Sequence, residues 1–273
     1  MIKKLRVACL QTNAGRNWQV NLRRLDRQVD AALRQGARLL AFPETFACRD
    51  TAAKLTNNAR YVTPVLIDHF RQRARQEGAA FLLGSIMETS PVRNRVYNTS
   101  VLISEKGKVA AKYRKIHLFD IALRGKVTIR ESRHILPGCR VVTGTALGVK
   151  VGLSVCYDLR FPELYRRLAH QGARIFFVPA NFTHTTGKAH WEVLLRARAI
   201  ENQAFVVAPG QSGTHPDTGI RSYGSSLVID PWGEPLRQAP ISGEHVLVTD
   251  LDLSEQARLR RSFPVLRHRC LKG

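Results

Sequence analysis

Acidic side chains are scarce. The 273 residues hold 21 Asp and Glu against 43 Lys and Arg, a formal net charge of +22, and 32 of the 43 cations are Arg. Charge so far from zero makes an acidic partner the first expectation, nucleic acid ahead of others. Charged residues nevertheless amount to only 23%, against 44% hydrophobic, which excludes a disordered basic tail protein. Long hydrophobic runs are missing too. Stretches such as Leu39 to Pro43 and Ile175 to Ala180 are strand-length, far short of the ~20 residues a membrane span needs. The start, Met1-Ile2-Lys3-Lys4, has the charge of a signal n-region, but Arg6, Gln11, Asn13 and Arg16 interrupt the next stretch, so no apolar h-region is read there. The five cysteines (Cys9, Cys48, Cys139, Cys156, Cys270) are scattered and form no C-x-x-C pair, which argues against a zinc knuckle or a disulfide framework. A soluble cytoplasmic protein with reduced thiols is expected. No linker, low-complexity tract or boundary interrupts the chain, so one domain over 1–273 is expected, long enough to bury roughly three-quarters of its unfolded surface.

What is present is alternation. Strand-like runs are Arg6 to Gln11, Leu39 to Phe42, Phe81 to Gly84, Ser100 to Ile103, Val109 to Tyr113, Lys150 to Cys156, Ile175 to Pro179, Ala204 to Pro209, Ser226 to Asp230 and His245 to Asp250. Helical spacing marks Asn17 to Gln35, Val65 to Gln76, Pro162 to His170 and Trp191 to Asn202. Such alternation predicts an α/β fold with helices outside buried sheets. The run Gly36-Ala37-Arg38-Leu39-Leu40-Ala41-Phe42-Pro43 is echoed by Gly172-Ala173-Arg174-Ile175-Phe176-Phe177-Val178-Pro179. The echo reads either as two similar αβ halves or as a chance likeness of two helix–Gly–strand joints.

Four residues stand out chemically. Cys156 ends a strand and precedes a turn into the helix that starts at Pro162. That is the sheet edge where α/β proteins build sites, and a helix N-terminus or a nearby cation there favours a thiolate. By itself the pattern reads first as a buried core cysteine. Glu44 closes the apolar run Leu39-Leu40-Ala41-Phe42-Pro43, and a carboxylate so placed is either functional or salt-bridged in a loop. Lys115 and His117 lie in Lys112-Tyr113-Arg114-Lys115-Ile116-His117-Leu118, which in isolation is a solvated charge run with a structural His.

Together these residues carry a resemblance. Phe42-Pro43-Glu44, then Tyr113-Arg114-Lys115-Ile116-His117, then Gly152-Leu153-Ser154-Val155-Cys156-Tyr157-Asp158-Leu159-Arg160-Phe161-Pro162-Glu163 stand in the order of the Glu, Lys and Cys motifs of the carbon–nitrogen hydrolase (nitrilase) superfamily. A second Glu of that family matches Glu131, in Arg130-Glu131-Ser132-Arg133. The resemblance runs from Val7-Ala8-Cys9-Leu10-Gln11 to Phe263-Pro264-Val265-Leu266-Arg267. Ala189-His190-Trp191-Glu192 and Asp230-Pro231-Trp232-Gly233 resemble the Nit-type amidases within it. Ser225 departs from that pattern, since relatives often carry His there.

The resemblance implies a four-layer αββα sandwich and a homodimer or higher homo-oligomer, with the C-terminal tail (about 255–273) in the contacts. It implies hydrolysis of the carboxamide of a small carboxylate-bearing substrate through a Cys156 thioester, with release of ammonia and with neither metal nor organic cofactor. Deaminated glutathione amidase activity is the first expectation and omega-amidase activity on α-keto acid amides the second. Lys115 and the backbone N–H of Tyr157 would stabilise the oxyanion, Glu44 would move protons, and Glu131 would orient Lys115 or the substrate. Arg160 is a candidate carboxylate clamp, with a structural ion pair as its alternative, and Asn181 and Phe182 match the family's pocket lining. No membrane partner is expected. A nucleic-acid binder remains the reading from a different class, disfavoured because the arginines are dispersed.

Overall fold

The computed structural model describes residues 3–123 and 127–270. Its strands in chain order are β1 (Lys4–Gln11), β2 (Leu39–Ala41), β3 (Ala80–Thr89), β4 (Val96–Ile103), β5 (Val109–Arg114), β6 (Asp120–Leu123), β7 (Val127–Arg130), β8 (Ile135–Leu136), β9 (Thr143–Ala146), β10 (Val149–Leu153), β11 (Ile175–Phe177), β12 (Phe205–Ala208), β13 (Leu227–Ile229), β14 (Pro235–Gln238) and β15 (His245–Asp252). The helices are α1 (Trp18–Arg34), α2 (Leu55–Asn57), which runs through a π-turn into α3 (Thr63–Glu77), then α4 (Pro162–His170), α5 (His184–Asn202) and α6 (Leu253–Ser262). One sheet has the order β15-β1-β2-β3-β4-β5, with β8 beside β4, and the other the order β14-β13-β12-β11-β10-β9.

The layers follow from the period of two along a strand. On β1 to β3, Val7, Cys9, Leu39, Ala41 and Leu82 turn inward and share a core with Val151 and Leu153 of the second sheet. The alternate residues Ala8, Leu10, Leu40, Phe81 and Leu83 turn outward and pack beneath Leu25, Val29, Leu66 and Phe70 of α1 and α3. Leu164 and Leu168 of α4 with Trp191 and Leu195 of α5 cover the second sheet. The stack is therefore helix, sheet, sheet, helix, the αββα sandwich that was expected. No helix among the described residues is long and apolar enough to cross a membrane.

The internal echo is a repeat of topology. β1–β2–β3 are parallel neighbours, and so are β10–β11–β12. Each trio is flanked by an antiparallel strand on one side (β15, β9) and by two on the other (β4 and β5, β13 and β14). Gly36 and Gly172 end the preceding helices at φ +81 and +87, a conformation that a Cβ disfavours.

Several elements differ from the sequence expectation. α5 begins at His184, not Trp191, because its first turns are polar and carry no apolar stripe. They are held by packing instead: a Cβ on Gly187 would lie 2.3 Å from the Tyr223 ring. α6 lies within the expected tail, capped by Asp252, whose carboxylate accepts from the N–H groups of Ser254 and Glu255. β6 and β7 pair only with each other, and the short β8, β9 and β14 lack the apolar runs by which strands are read. Residues 1–2 and 124–126 of the expected domain and 271–273 of the expected tail lie outside the described residues.

Candidate active site

Glu44 follows β2 and Cys156 follows β10, parallel strands from the two halves, so the repeat brings both to one end of the sandwich. Lys115 follows β5, and Glu131 follows the β6–β7 hairpin. The four side chains meet. Lys115 Nζ donates to Glu44 Oε1 at 3.1 Å and to Glu131 Oε1 and Oε2 at 3.0 and 2.9 Å. Glu44 Oε2 accepts from the Asn181 N–H at 2.8 Å, and Cys156 lines the same cavity as Glu44, Lys115 and Glu131. Glu44, Lys115 and Cys156 are only 5%, 2% and 7% exposed, so their charges interact with little screening by water.

The elbow at Cys156 has a local cause. Its φ is +50, unusual for a residue with a Cβ. Asp158, wholly buried, holds this conformation. Its Oδ2 accepts from Val155 N–H at 2.8 Å and from the Tyr113 hydroxyl at 2.7 Å. Its Oδ1 accepts from the backbone N–H and the ring Nδ1 of His117 at 3.0 and 2.7 Å. The His117 ring stacks on Phe161 at 3.6 Å. His117 is therefore a structural histidine, as its sequence context suggested.

The protonation states follow from the contacts. Burial pushes Glu44 upward, but the Lys115 ammonium and the N–H and S–H donors around it hold it below the usual carboxylate value of 4.5. Burial disfavours charge on Lys115, yet Glu131 and Glu44 raise it well above 10.5. Burial, and then the Glu44 charge, raise Cys156 well above 9.0, with Lys115 opposing. Burial and the Glu44 charge thus outweigh the cation that favours a thiolate. The Glu44 charge acts on this thiol more strongly than the Lys115 ammonium does, and the helical turn at Cys156–Arg160 is only five residues long. Such a thiol needs a base, and the Glu44 carboxylate lines the same cavity and acts on it.

A cavity of about 330 Å³ opens over this set, with Asn98, Phe119, Ser222 and His215 among its walls. A small recess beside it is lined by Tyr157, Asn181 and Phe182 along with Cys156. Arg160 stands outside both. Its guanidinium lies 5.6 Å from the Tyr157 ring centroid and 5.3 Å from that of Phe182, and contacts His190 Nδ1 at 3.3 Å. No acidic partner engages Arg160 among the described residues, so the alternative of a structural ion pair is not realised. Among the described residues no group of three His, Cys, Asp or Glu side chains is placed to hold a metal ion.

Sequence reasoning missed Asn98. Its Nδ2 donates to Glu44 Oε1 at 2.9 Å and reaches Glu131 Oε1 at 3.5 Å. The signal was the polar run Asn98-Thr99-Ser100 inside a strand that ends Val101-Leu102-Ile103. Arg49 and His215 also went unread. Nothing in their local sequence marks them.

Comparisons with known proteins agree with this geometry. The carbon-nitrogen hydrolase family model matches residues 6–261. The chain is 40% identical to the deaminated glutathione amidase of Homo sapiens, over 96% of this chain and 81% of that protein. It is 34% identical to the omega-amidase NIT2 of Mus musculus, over 97% and 94%. The crystal structure of the C. elegans NitFhit protein superposes with a TM-score of 0.90 at 32% identity, covering 98% of this chain, and this chain spans 65% of that protein. A family match over nearly the whole chain, on a fold whose two halves bring a buried Glu, Lys and Cys into contact, places this chain in the carbon–nitrogen hydrolase family, as a hydrolase of carbon–nitrogen bonds other than peptide bonds.

Proposed function

We propose that the chain hydrolyses an amide of a small carboxylate-bearing substrate through a Cys156 thioester, deaminated glutathione first and an α-keto acid amide second. The observation that carries this reading is one cavity lined by buried Cys156, Glu44 and Lys115, with the Lys115 ammonium held between Glu44 and Glu131. Glu44 takes the thiol proton as sulfur attacks the amide carbon, and the oxyanion forms against Lys115 Nζ and the Tyr157 N–H. Removing one such donor typically costs about 3–4 kcal/mol of transition-state stabilisation. Glu44 then protonates the departing nitrogen and activates the water that opens the thioester, work of about 10²–10⁴-fold. Glu131 holds Lys115 toward the reacting carbon. An α-keto acid amide with a terminal carboxamide loses ammonia. Deaminated glutathione carries substituted amides, so its leaving group is an amine. Asn181 and Phe182 line the acyl recess, and Arg160, with no acid engaging it among the described residues, clamps the carboxylate at its rim.

The same reading covers partners and place. Val193, Ile200, Trp232 and Phe263 are exposed large apolar residues, and they adjoin one another. Val193 and Ile200 are two turns apart on α5, Gly233 packs on Ile200, and the Trp232 and Phe263 rings are 6.4 Å apart. A contiguous apolar face beside the tail suits a second copy of the chain. The +22 charge does not imply nucleic acid, since many arginines are structural. Arg198 donates to Leu159 O, Arg260 to Gln203 O and Arg174 to Leu253 O. A cytoplasmic location is in line with the free cysteines.

The test is a panel of deaminated glutathione, α-ketoglutaramate and simple nitriles, with release of amine or ammonia measured. Turnover of the first two, abolished in a folded Cys156→Ala protein, is expected. Full activity in that variant would remove the assigned nucleophile.

A further inference from the structure

Three protein donors reach the Glu44 carboxylate. Oε1 accepts from Lys115 Nζ at 3.1 Å and from Asn98 Nδ2 at 2.9 Å, and Oε2 accepts from the Asn181 N–H at 2.8 Å. A carboxylate offers about four acceptor sites, two on each oxygen. Among the described residues Oε1 is therefore filled, and one site on Oε2 is left for the proton that the hydrolysis moves. Asn181 is itself braced. Its Oδ1 accepts from Ser222 Oγ at 2.6 Å, and Ser222 Oγ accepts from the buried Arg49 at 3.0 Å. Lys115 and Asn181 already have parts in the proposed reaction. Asn98 has none.

Asn98, on β4, touches every member of the acid–base set. Its main-chain O accepts from the Lys115 N–H at 2.9 Å, which carries the β4–β5 pairing one residue past β5 to the lysine. Its Nδ2 reaches Glu131 Oε1 at 3.5 Å as well as Glu44. Only the NH₂ end of an amide can face two carboxylates, which fixes how the side chain is turned. The other end, Oδ1, is buried with no hydrogen-bond partner among the described residues. All of the side chain's favourable polar contact is thus with the two glutamates. Those glutamates share one ammonium, and an amide adds a donor without adding charge. A donor to a carboxylate favours its charged form. Asp50, Arg130, His134, His215 and Asp217 also line the cavity, but none of them is hydrogen-bonded to Glu44 among the described residues.

We propose that Asn98 is the positioning residue of the base: it holds Oε1 of Glu44 beside Lys115, keeps the carboxylate ionised, and leaves Oε2 as the oxygen that carries protons. The proposal deepens the amide-hydrolase reading and rests on it. As the S–C bond forms, the thiol proton passes to Oε2. As the C–N bond breaks, that proton passes to the departing nitrogen. In the second half a water proton passes to Oε2 while water oxygen bonds the acyl carbon, and it returns to sulfur as the S–C bond breaks.

The experiment measures steady-state kinetics from pH 3.5 to 8 on the amides of the panel that the native protein turns over. Native protein is compared with Asn98→Leu, which keeps the approximate shape and removes the donor. The main-chain bond to Lys115 remains in the variant. Melting curves at the same pH values control for folding, and Asn98→Ala is used if Leu does not fit. Loss of one hydrogen bond to a charged group is expected to lower kcat at its optimum about 10-fold, with KM within twofold. The acid limb of kcat/KM should rise by about one pH unit, because the charged form of Glu44 has lost a donor. A purely structural role would not move that limb. In a folded variant, an acid limb at the native pH, or a loss confined to KM, would overturn the positioning role and leave the amidase reading intact. A native protein that turns over no amide of the panel would overturn both.

Discussion

Replacing Glu44 by Gln tests the reasoning at its most exposed point. The substitution keeps the shape and removes one negative charge from a buried set that holds two carboxylates and one ammonium. Lys115 keeps Glu131 at 2.9 Å, so no buried charge is stranded, and the fold should survive with a modest change in melting temperature. The chemistry should not survive. Without a base on the thiol, kcat/KM is expected to fall about 10²–10⁴-fold. The thiol itself should move the other way. The Glu44 charge raises Cys156 and Lys115 lowers it, so the variant's thiol titrates at lower pH than the native one. Alkylation of Cys156 by iodoacetamide across pH reads that shift directly. The native acid limb is set by Glu44. Its folded value lies below 4.5, so native activity holds through pH 5 and is lost only as pH falls through the lowered value. A Glu44→Gln protein that keeps more than a tenth of native kcat/KM, or a native acid limb centred above pH 5, would refute the assignment of Glu44 as base.

Other perturbations act on the same contacts. Lys115→Met leaves Glu44 and Glu131 facing each other without a cation, a loss of about 3–5 kcal/mol. Burial then raises the folded value of Glu44 without Lys115 to oppose it, so stability is lost as pH rises, and the melting temperature should drop more at pH 7.5 than at pH 4.5. Gly84→Ala places a Cβ 1.7 Å from Phe42 O. The main chain that carries Glu44 has to shift, and overpacking of this kind costs about 1–3 kcal/mol. Denaturant unfolding and turnover should both fall, and native behaviour in either would show that β2 yields more easily than its packing indicates. Val193→Asp on the exposed α5 face should convert the proposed dimer to a monomer in sedimentation, and a native protein that sediments as a monomer would remove that proposal.

How much was legible in the sequence depends on what each feature required. The parallel strands were readable because burial on both faces demands apolar runs such as Leu39-Leu40-Ala41-Phe42 and Ile175-Phe176-Phe177. The edge strands β9 and β14 and the first turns of α5 were not, because tertiary packing holds them rather than local pattern. Glu44 and Cys156 stood out as polar residues that close apolar strands, and with Lys115 their order along the chain pointed to one family. Their protonation was hidden, since a thiol's pKa depends on which charges lie nearest in space. For Cys156 the charge that acts most strongly is the carboxylate of Glu44, from the other half of the repeat. Asn98, Arg49 and His215 reach the site from separate strands and loops, and no spacing along a chain reports such a meeting.

The net charge makes the same division. Composition alone determined that the chain is basic, globular and without an apolar run of membrane-spanning length. Only the tertiary structure decided what the cations do. Arg174, Arg198 and Arg260 donate to backbone carbonyls, Arg73 serves Asp26 and Asp30, and Lys115 lies buried between two glutamates. A formal charge is a property of residues counted one by one. Its effect depends on distance and dielectric, and the fold sets both.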